Sequence, residues 1–340
     1  METQLVFALP AQSDEVSGGN LYNEHLLRAL GRVRPVTGTT VAACRLRIEH
    51  GLPGCYFVDS LDLQSLVSFP EPRPGQSLGL VVHHLPSLEP GIDPADPALA
   101  LEASALSRCD LFLATSPFTA QRLRERGFDE HRILTVLPAP PTGAGALPRP
   151  APPFVFAVVG NLIPRKGVLP LLECLADQLQ DTDQFQLELA GRTDVAPAYA
   201  RACLERAQTP RLRAIGRYLG AVPHAHIGAG YRRAAAFVSA SSMETFGMAL
   251  QEARAYGLPI LALDGGYVRE HFTPGHNGFL FDSVGALAGQ LLAFVREPAR
   301  LYSLFDEAQR SRLASGYTWD SAAEQLLCEL ERCQRSGRSP

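Results

Sequence analysis

Ser241-Ser242-Met243-Glu244-Thr245-Phe246-Gly247-Met248-Ala249-Leu250-Gln251-Glu252-Ala253 follows directly on the apolar run Ala236-Phe237-Val238. An apolar strand, a small-residue turn and then an amphipathic helix is the repeating unit of a parallel α/β sheet. Thr245 can cap the helix, and Gly257 followed by Pro259 can end it. The N–H groups near Phe246, Gly247 and Met248 then lie at the positive end of the helix dipole, a ready site for a phosphate. Gly247 has no side chain, so an anion can approach the backbone closely. Glu252 falls about five residues into the helix, roughly 7.5 Å along it. Glu244 falls before the helix, on the other side of such an anion. Two glutamates alone are more simply read as a solvated helix face.

The flanking sequence repeats the pattern. Short apolar runs are expected as strands near 5–9, 55–58, 78–82, 110–114 and 133–137. A second set is expected near 154–159, 185–190, 211–215, 235–239 and 259–263. Many are apolar throughout, as parallel strands covered on both faces are. Helical patterns over 20–30, 168–180 and 286–296 alternate with them. The rhythm breaks once, over residues 138–153, which are rich in proline and act as a semi-rigid linker. The expected architecture is α/β: two Rossmann-like, doubly wound parallel-sheet domains facing across a cleft, with ligands at the strands' carboxyl ends. The boundaries expected are 1–148, 149–320, and a C-terminal helix and tail over 321–340 that packs back toward the first domain.

Composition narrows the function. Apolar residues make up 46% and charged residues 19% of the 340, enough for two packed cores. The net charge of -4 and the lack of a basic stripe argue against a nucleic-acid partner. The arginines at 28, 32, 34, 45 and 47 could touch an anionic membrane surface, but Glu24 and Glu49 nearby favour ordinary solvation. The seven cysteines form no C-x-x-C pair, and the opening residues have no secretory pattern, so a cytoplasmic setting is expected. Asp181-Thr182-Asp183 has the form of a D-x-D metal motif. It precedes a strand where a ligand site would follow one, so it is read as a solvated loop and no metal site is expected.

The positive charge is distributed unusually: 30 arginines and one lysine, Lys166. That lysine lies in Gly160-Asn161-Leu162-Ile163-Pro164-Arg165-Lys166-Gly167, between the strand Phe154–Val159 and a helix. A strand–glycine–loop–helix unit can hold anions, and Arg165 and Lys166 add charge there. Gly216-Arg217-Tyr218-Leu219-Gly220 reads as a loop whose backbone could meet a base edge, though a plain turn is the simpler reading. In the first half, Val16-Ser17-Gly18-Gly19-Asn20 opens a helix after the first strand. His83 and His84 end the strand Leu78–Val82, and both are candidates for lining the site.

Together these segments resemble the family-four retaining glycosyltransferases, which have the GT-B fold. That family is marked by two glutamates in an E-x(7)-E spacing within a Ser-x-x-Glu-[Ser/Thr]-Phe-Gly signature, matched here by Glu244, Glu252 and Phe246-Gly247. Gly160 to Gly167 is similar to its Gly-Arg-Leu…Lys-Gly loop. Gly265-Gly266…Glu270, Gly275-His276-Asn277-Gly278-Phe279-Leu280 and Tyr317-Thr318-Trp319-Asp320 resemble its later segments. In the first half, Gly18-Gly19 and Thr115–Thr119 do so more loosely. The resemblance implies that Lys166 neutralises a leaving diphosphate, Glu244 binds sugar hydroxyls and Glu252 binds the ribose. It implies that the amides of Gly247 to Ala249 cradle phosphate, with Gly18, Gly19, Asn161, Arg165, Tyr218, Phe246 and Met248 also at the donor. Lys166, Glu244 and His84 are the catalytic candidates. Asn161 stands where the family has an arginine, so either Arg165 supplies the second positive charge or the diphosphate is held differently.

The implied reaction moves a sugar, with retention and without a metal, from a nucleotide diphosphate sugar to a small-molecule, glycan or lipid-linked acceptor. No separate cofactor is implied, and a UDP-sugar is the favoured donor. The alternatives are another GT-B enzyme, a sugar phosphorylase or nucleotide-sugar epimerase, and a non-catalytic two-domain sugar-binding protein.

Overall fold

The computed structural model describes residues 4–9, 17–141, 145–313 and 316–336, with side chains up to 333. Val16 and linker residues 142–144 lie outside the described residues. The chain divides into two compact units, 1–139 with 316–340, and 140–315.

The first unit runs β1 (Leu5–Leu9), α1 (Gly18–Val33), β2 (Val36–Thr40), α2 (Val41–Glu49), β3 (Gly54–Asp59), α3 (Leu63–Val67), β4 (Gln76–Val82), α4 (Pro97–Ser107), β5 (Leu111–Ala114), α5 (Pro117–Glu125) and β6 (Ile133–Thr135). Its six strands are parallel, in the order β2-β1-β3-β4-β5-β6. The direction of travel across the sheet reverses between β1 and β3.

The second unit runs β7 (Phe154–Val159), α6 (Val168–Gln178), β8 (Phe185–Ala190), α7 (Pro197–Ala207), β9 (Gly216–Gly220), α8 (His224–Arg233), β10 (Ala236–Ser239), α9 (Met248–Ala255), β11 (Ile260–Leu263), β12 (Gly278–Phe281), α10 (Val284–Arg296) and α11 (Pro298–Arg310). It too is a parallel six-stranded sheet, ordered β12-β11-β10-β7-β8-β9, with its reversal between β7 and β10. Ligands of doubly wound sheets bind outside the carboxyl ends of strands at such a reversal.

The last helix, α12 (Trp319–Ser336), returns to the first unit. Trp319 stacks on His25 and meets Tyr22 edge-on, both on α1, while Arg332 donates to the carbonyl of Ile133 on β6. From Pro140 the linker belongs to the second unit, where the Leu147 amide donates to Gln309 on α11.

Most expected strands appear, with three differences. β2 and β12 are edge strands; Val36-Thr37-Gly38-Thr39-Thr40 has no continuous apolar run and carried too weak a signal, and β12 is only 4 residues long. The strand expected at 211–215 is a turn, in which the Ile215 and Gly216 amides fold back on the Leu212 carbonyl. The strand is instead Gly216–Gly220, so Tyr218 is a strand residue and not part of a loop. Buried Leu212 and Ile215 mimic a strand because they cap the core beneath α7.

Asp183 is likewise not a solvated loop residue. It precedes β8, as expected, but its side chain is buried and takes the Arg296 guanidinium at 2.7 and 2.9 Å. It also accepts from the Gln180 amide at 2.8 Å. Arg296 holds its carboxyl below the usual carboxylate range, against the upward push of burial. Asp183→Ala is expected to cost about 1–3 kcal/mol, since one partner stays partly hydrated, and to lower the melting temperature by roughly 2–12 °C. Any turnover should be unaffected. A thermal melt and a donor-dependent assay check both statements.

Candidate active site

The carboxyl ends of β7 and β10 flank the reversal in the second unit, and the two loops that leave them meet. After β7 the chain makes a single 3-10 turn, Pro164–Lys166, and enters α6 through Gly167 at φ 64°. A Cβ at Gly167 would stand 2.1 Å from the Ala240 carbonyl oxygen, so only glycine lets this loop lie on the end of β10. The Ser242 amide donates to the Arg165 carbonyl at 2.9 Å. From the other side, Gly265 and Gly266 approach so closely that a Cβ would fall 2.2 Å from the Ser242 oxygen and 2.1 Å from the Glu244 oxygen. Glu244 donates its amide to Gly265 and accepts from Tyr267, a short parallel bridge. The backbone of 242–244 is therefore fixed from two directions.

That clamp delivers the side chain of Glu244, which is buried. The Lys166 ammonium lies 2.5 Å from one oxygen, and Arg165 lies 3.6 Å from the other while donating to the Met243 carbonyl. Burial would push the Glu244 carboxyl up. Lys166 and then Arg165 outweigh it, helped by hydrogen bonds from Lys166 and Ser241, and the carboxyl stays below its usual range. Gly160, at φ 155°, leaves room for the lysine stem, whose Cε would be 3.3 Å from a Cβ there.

The α9 helix starts two residues later than a Thr245 cap would place it. Gly247 is the N-cap, at φ 92° and ψ 58°, and its carbonyl accepts from Leu250 and Gln251. The amides of Gly247, Met248 and Ala249 come just before that first intrahelical bond, where helix amides lack helical partners. Phe246 stacks on Tyr267 and meets His271 edge-on. His271 donates from Nε2 to the Phe246 carbonyl. Four residues past Met248, Glu252 is buried, with His224 Nε2 at 2.9 Å from Oε1 and the Tyr231 hydroxyl at 3.0 Å from Oε2.

Asn161 takes a different part from an arginine at its position. Its Oδ1 accepts from the Arg192 amide at 3.4 Å, tying the β7 loop to the loop after β8. Arg192 pairs with Asp194. Tyr218 donates to the Gly191 carbonyl at 2.8 Å from β9.

In the first unit, Ser17 caps α1 by accepting from the Asn20 amide, so Gly18 and Gly19 are the helix's first residues. A Cβ on Gly19 would sit 3.0 Å from the His83 ring. His83 is buried beside Asp59, at 3.4 Å, and its Nε2 is 3.1 Å from Asn23 Oδ1. Asn23 also donates to Asp59. Against the upward push of burial, His83 and hydrogen bonds from His83, Leu61 and Asn23 hold the Asp59 carboxyl down. His84, the other candidate, turns to Glu89 at 2.8 Å. Of the paired histidines, His83 is the one in the polar cluster at this sheet's reversal.

The second unit thus brings Arg165, Lys166, Glu244, Gly247 and Glu252 to one reversal, and the first unit gathers Gly19 and His83 at another. Sequence spacing alone did not identify His224, Tyr231, His271, Asn23 or Asp59. Each lies on a different element from its partner, and only His224 and Tyr231 carry a local signal, seven residues apart on one face of α8.

Two doubly wound parallel-sheet units of this kind constitute the GT-B fold. Residues 145–312 match the family model described as glycosyl transferases group 1. Over 286 residues the chain is 28% identical to D-inositol 3-phosphate glycosyltransferase 1 of Catenulispora acidiphila, covering 77% of this chain and 66% of that one. Over 180 residues it is 31% identical to the phosphatidyl-myo-inositol mannosyltransferase of Mycobacterium leprae, covering 51% of this chain and 45% of that one. The chain thus spans less than two thirds of the length of either relative. The solved sucrose-phosphate synthase of Thermosynechococcus elongatus superposes with a TM-score of 0.75 at 19% identity, over 99% of this chain and all of that one.

His271 gives the site a pH dependence. Burial lowers its basicity, against the opposing pull of the Phe246 carbonyl and then Glu244, so the folded ring binds its proton less readily than the unfolded one. Its contribution is complete above the unfolded value of about 6.5 and is lost as pH falls from there through the lower folded value. Melting temperatures measured between pH 7.5 and 5 should fall on the acid side for the wild type. They should fall less for His271→Gln. Parallel profiles would show that this ring does not titrate as described.

Proposed function

We propose that the protein is a retaining, metal-independent glycosyltransferase that moves a hexose from a nucleoside diphosphate sugar to an acceptor hydroxyl. The observation that carries this reading is the Lys166–Glu244–Arg165 cluster, at a sheet reversal and directly before the N-terminus of α9. The match of residues 145–312 supports it.

In this reading the diphosphate lies on the amides of Gly247 to Ala249, with Lys166 and Arg165 beside it. Lys166 exchanges its contact with Glu244 for a phosphate oxygen, and Glu244 turns to hydroxyls of the sugar. Glu252 takes the ribose hydroxyls. The bond between the anomeric carbon and the phosphate oxygen breaks, and a bond to the acceptor oxygen forms on the same face. The acceptor's proton passes to the departing diphosphate. Charge grows on that leaving group, and in this reading the ammonium, guanidinium and helix amides stabilise it. We propose a uridine donor first. The names of both relatives contain inositol, so a polyol hydroxyl is the first acceptor to offer.

Two measurements test this. Lys166→Ala should fold normally and still bind the nucleoside diphosphate, but lose at least about a hundredfold in turnover, the scale of one transition-state donor. Lys166→Arg should recover only part, because a planar guanidinium cannot copy a point charge. Near-normal turnover in Lys166→Ala would remove the diphosphate from this site. Separately, transfer should survive excess chelator. Abolition by chelator with rescue by magnesium or manganese would end the metal-independent reading.

A further inference from the structure

Glu252 is held by two donors from one helix. His224 is the first residue of α8 and Tyr231 lies seven positions on, close to two full turns, so both project from the same face. His224 Nε2 meets Oε1 at 2.9 Å and the Tyr231 hydroxyl meets Oε2 at 3.0 Å, one donor to each oxygen. Tyr231 is fully buried, and burial followed by the charge of Glu252 pushes its phenol well above its ordinary range, so it remains a hydrogen donor. His224 differs in one respect: its side chain is 34% exposed, while that of Glu252 is 9% exposed. Facing a carboxylate, its Nε2 carries the proton.

A carboxylate has about four acceptor sites, and two are filled by these donors. Two remain, one on each oxygen, the number that a pair of adjacent ribose hydroxyls requires. We infer that His224 is the positioning residue that orients Glu252 to read a ribose diol, and so sets the preference of the nucleoside end for ribonucleotides. This rests on the reading of Glu252 as the ribose ligand. Tyr231 alone fixes one oxygen and leaves the carboxylate free to turn about that contact. The second donor, on the exposed side, removes the rotation, and charge-assisted hydrogen bonds of this kind are the stronger ones. Pro223, the N-cap at φ -55°, sets the entry of α8 that delivers the imidazole.

The experiment is calorimetric titration of UDP and GDP into the full chain. The tighter of the two is then compared with its 2′-deoxy analogue. The wild type should prefer the ribonucleotide by about tenfold, the worth of one hydrogen bond to a charged group. Glu252→Ala should lose that preference. His224→Ala should weaken ribonucleotide binding by about tenfold, with little change for the deoxy form, so the preference collapses. His224→Gln, whose amide can donate to the same oxygen, should restore most of it. If His224→Ala does not melt cooperatively, His224→Phe, which keeps a ring and removes the donor, takes its place. Preference kept in the His224 variants but lost in Glu252→Ala overturns the inference and leaves the ribose reading standing. An equal loss for both nucleotides overturns the inference as well. Preference kept in Glu252→Ala overturns the ribose reading itself.

Discussion

The site depends on one buried carboxylate, Glu244, held between two cations on a backbone that glycines fix from both sides. A buried anion is costly unless it is paired and hydrogen-bonded. Here Lys166 and Arg165 come from the loop after β7 and Ser241 from the loop after β10, so the pairing exists only when the two loops touch. They touch because Gly167 lies on Ala240, and Gly265 and Gly266 lie on Ser242 and Glu244, at distances no other residue could adopt. The charge cluster and the glycine contacts are one arrangement, and losing either would leave a charge buried without a partner.

The same solution recurs in the first unit with different chemistry. Asp59 ends β3 next to the reversal of that sheet and is buried against His83 and Asn23, with Gly19 allowing the start of α1 to lie on the imidazole ring. In each sheet a carboxylate sits near the carboxyl end of a strand beside the reversal, partnered by groups from neighbouring elements. In the second unit the partners are permanent cations. In the first the partners are an imidazole and a side-chain amide.

Asp183 shows how position changes the meaning of a motif. D-x-D has the composition of a metal site, yet it lies before β8, at the amino end of the strand, and Asp183 spends both oxygens on Arg296 of α10. Asn161 is a second case. Where the sequence resemblance led to the expectation of an arginine, its amide oxygen ties two neighbouring loops together through Arg192.

The sequence determined the α/β class, most of the buried strands and the two loops that matter, because apolar runs and glycine placement are local signals. It marked Lys166 as unusual and gave Glu244 and Glu252 their spacing along one turn-helix unit. It misplaced β9 behind a core-capping turn, and omitted β2, an edge strand with a weak apolar pattern, and β12, a strand of only 4 residues. Only the tertiary structure decided what each carboxylate faces. That Lys166 reaches Glu244, that His224 and Tyr231 hold Glu252, that His83 and not His84 joins Asp59, and that Asp183 pairs with Arg296 all depend on contacts between different elements. The spacing within a chain segment fixes which residues share a face. Which face of another segment meets it is set by the strand order and by the few glycines that let backbones come together.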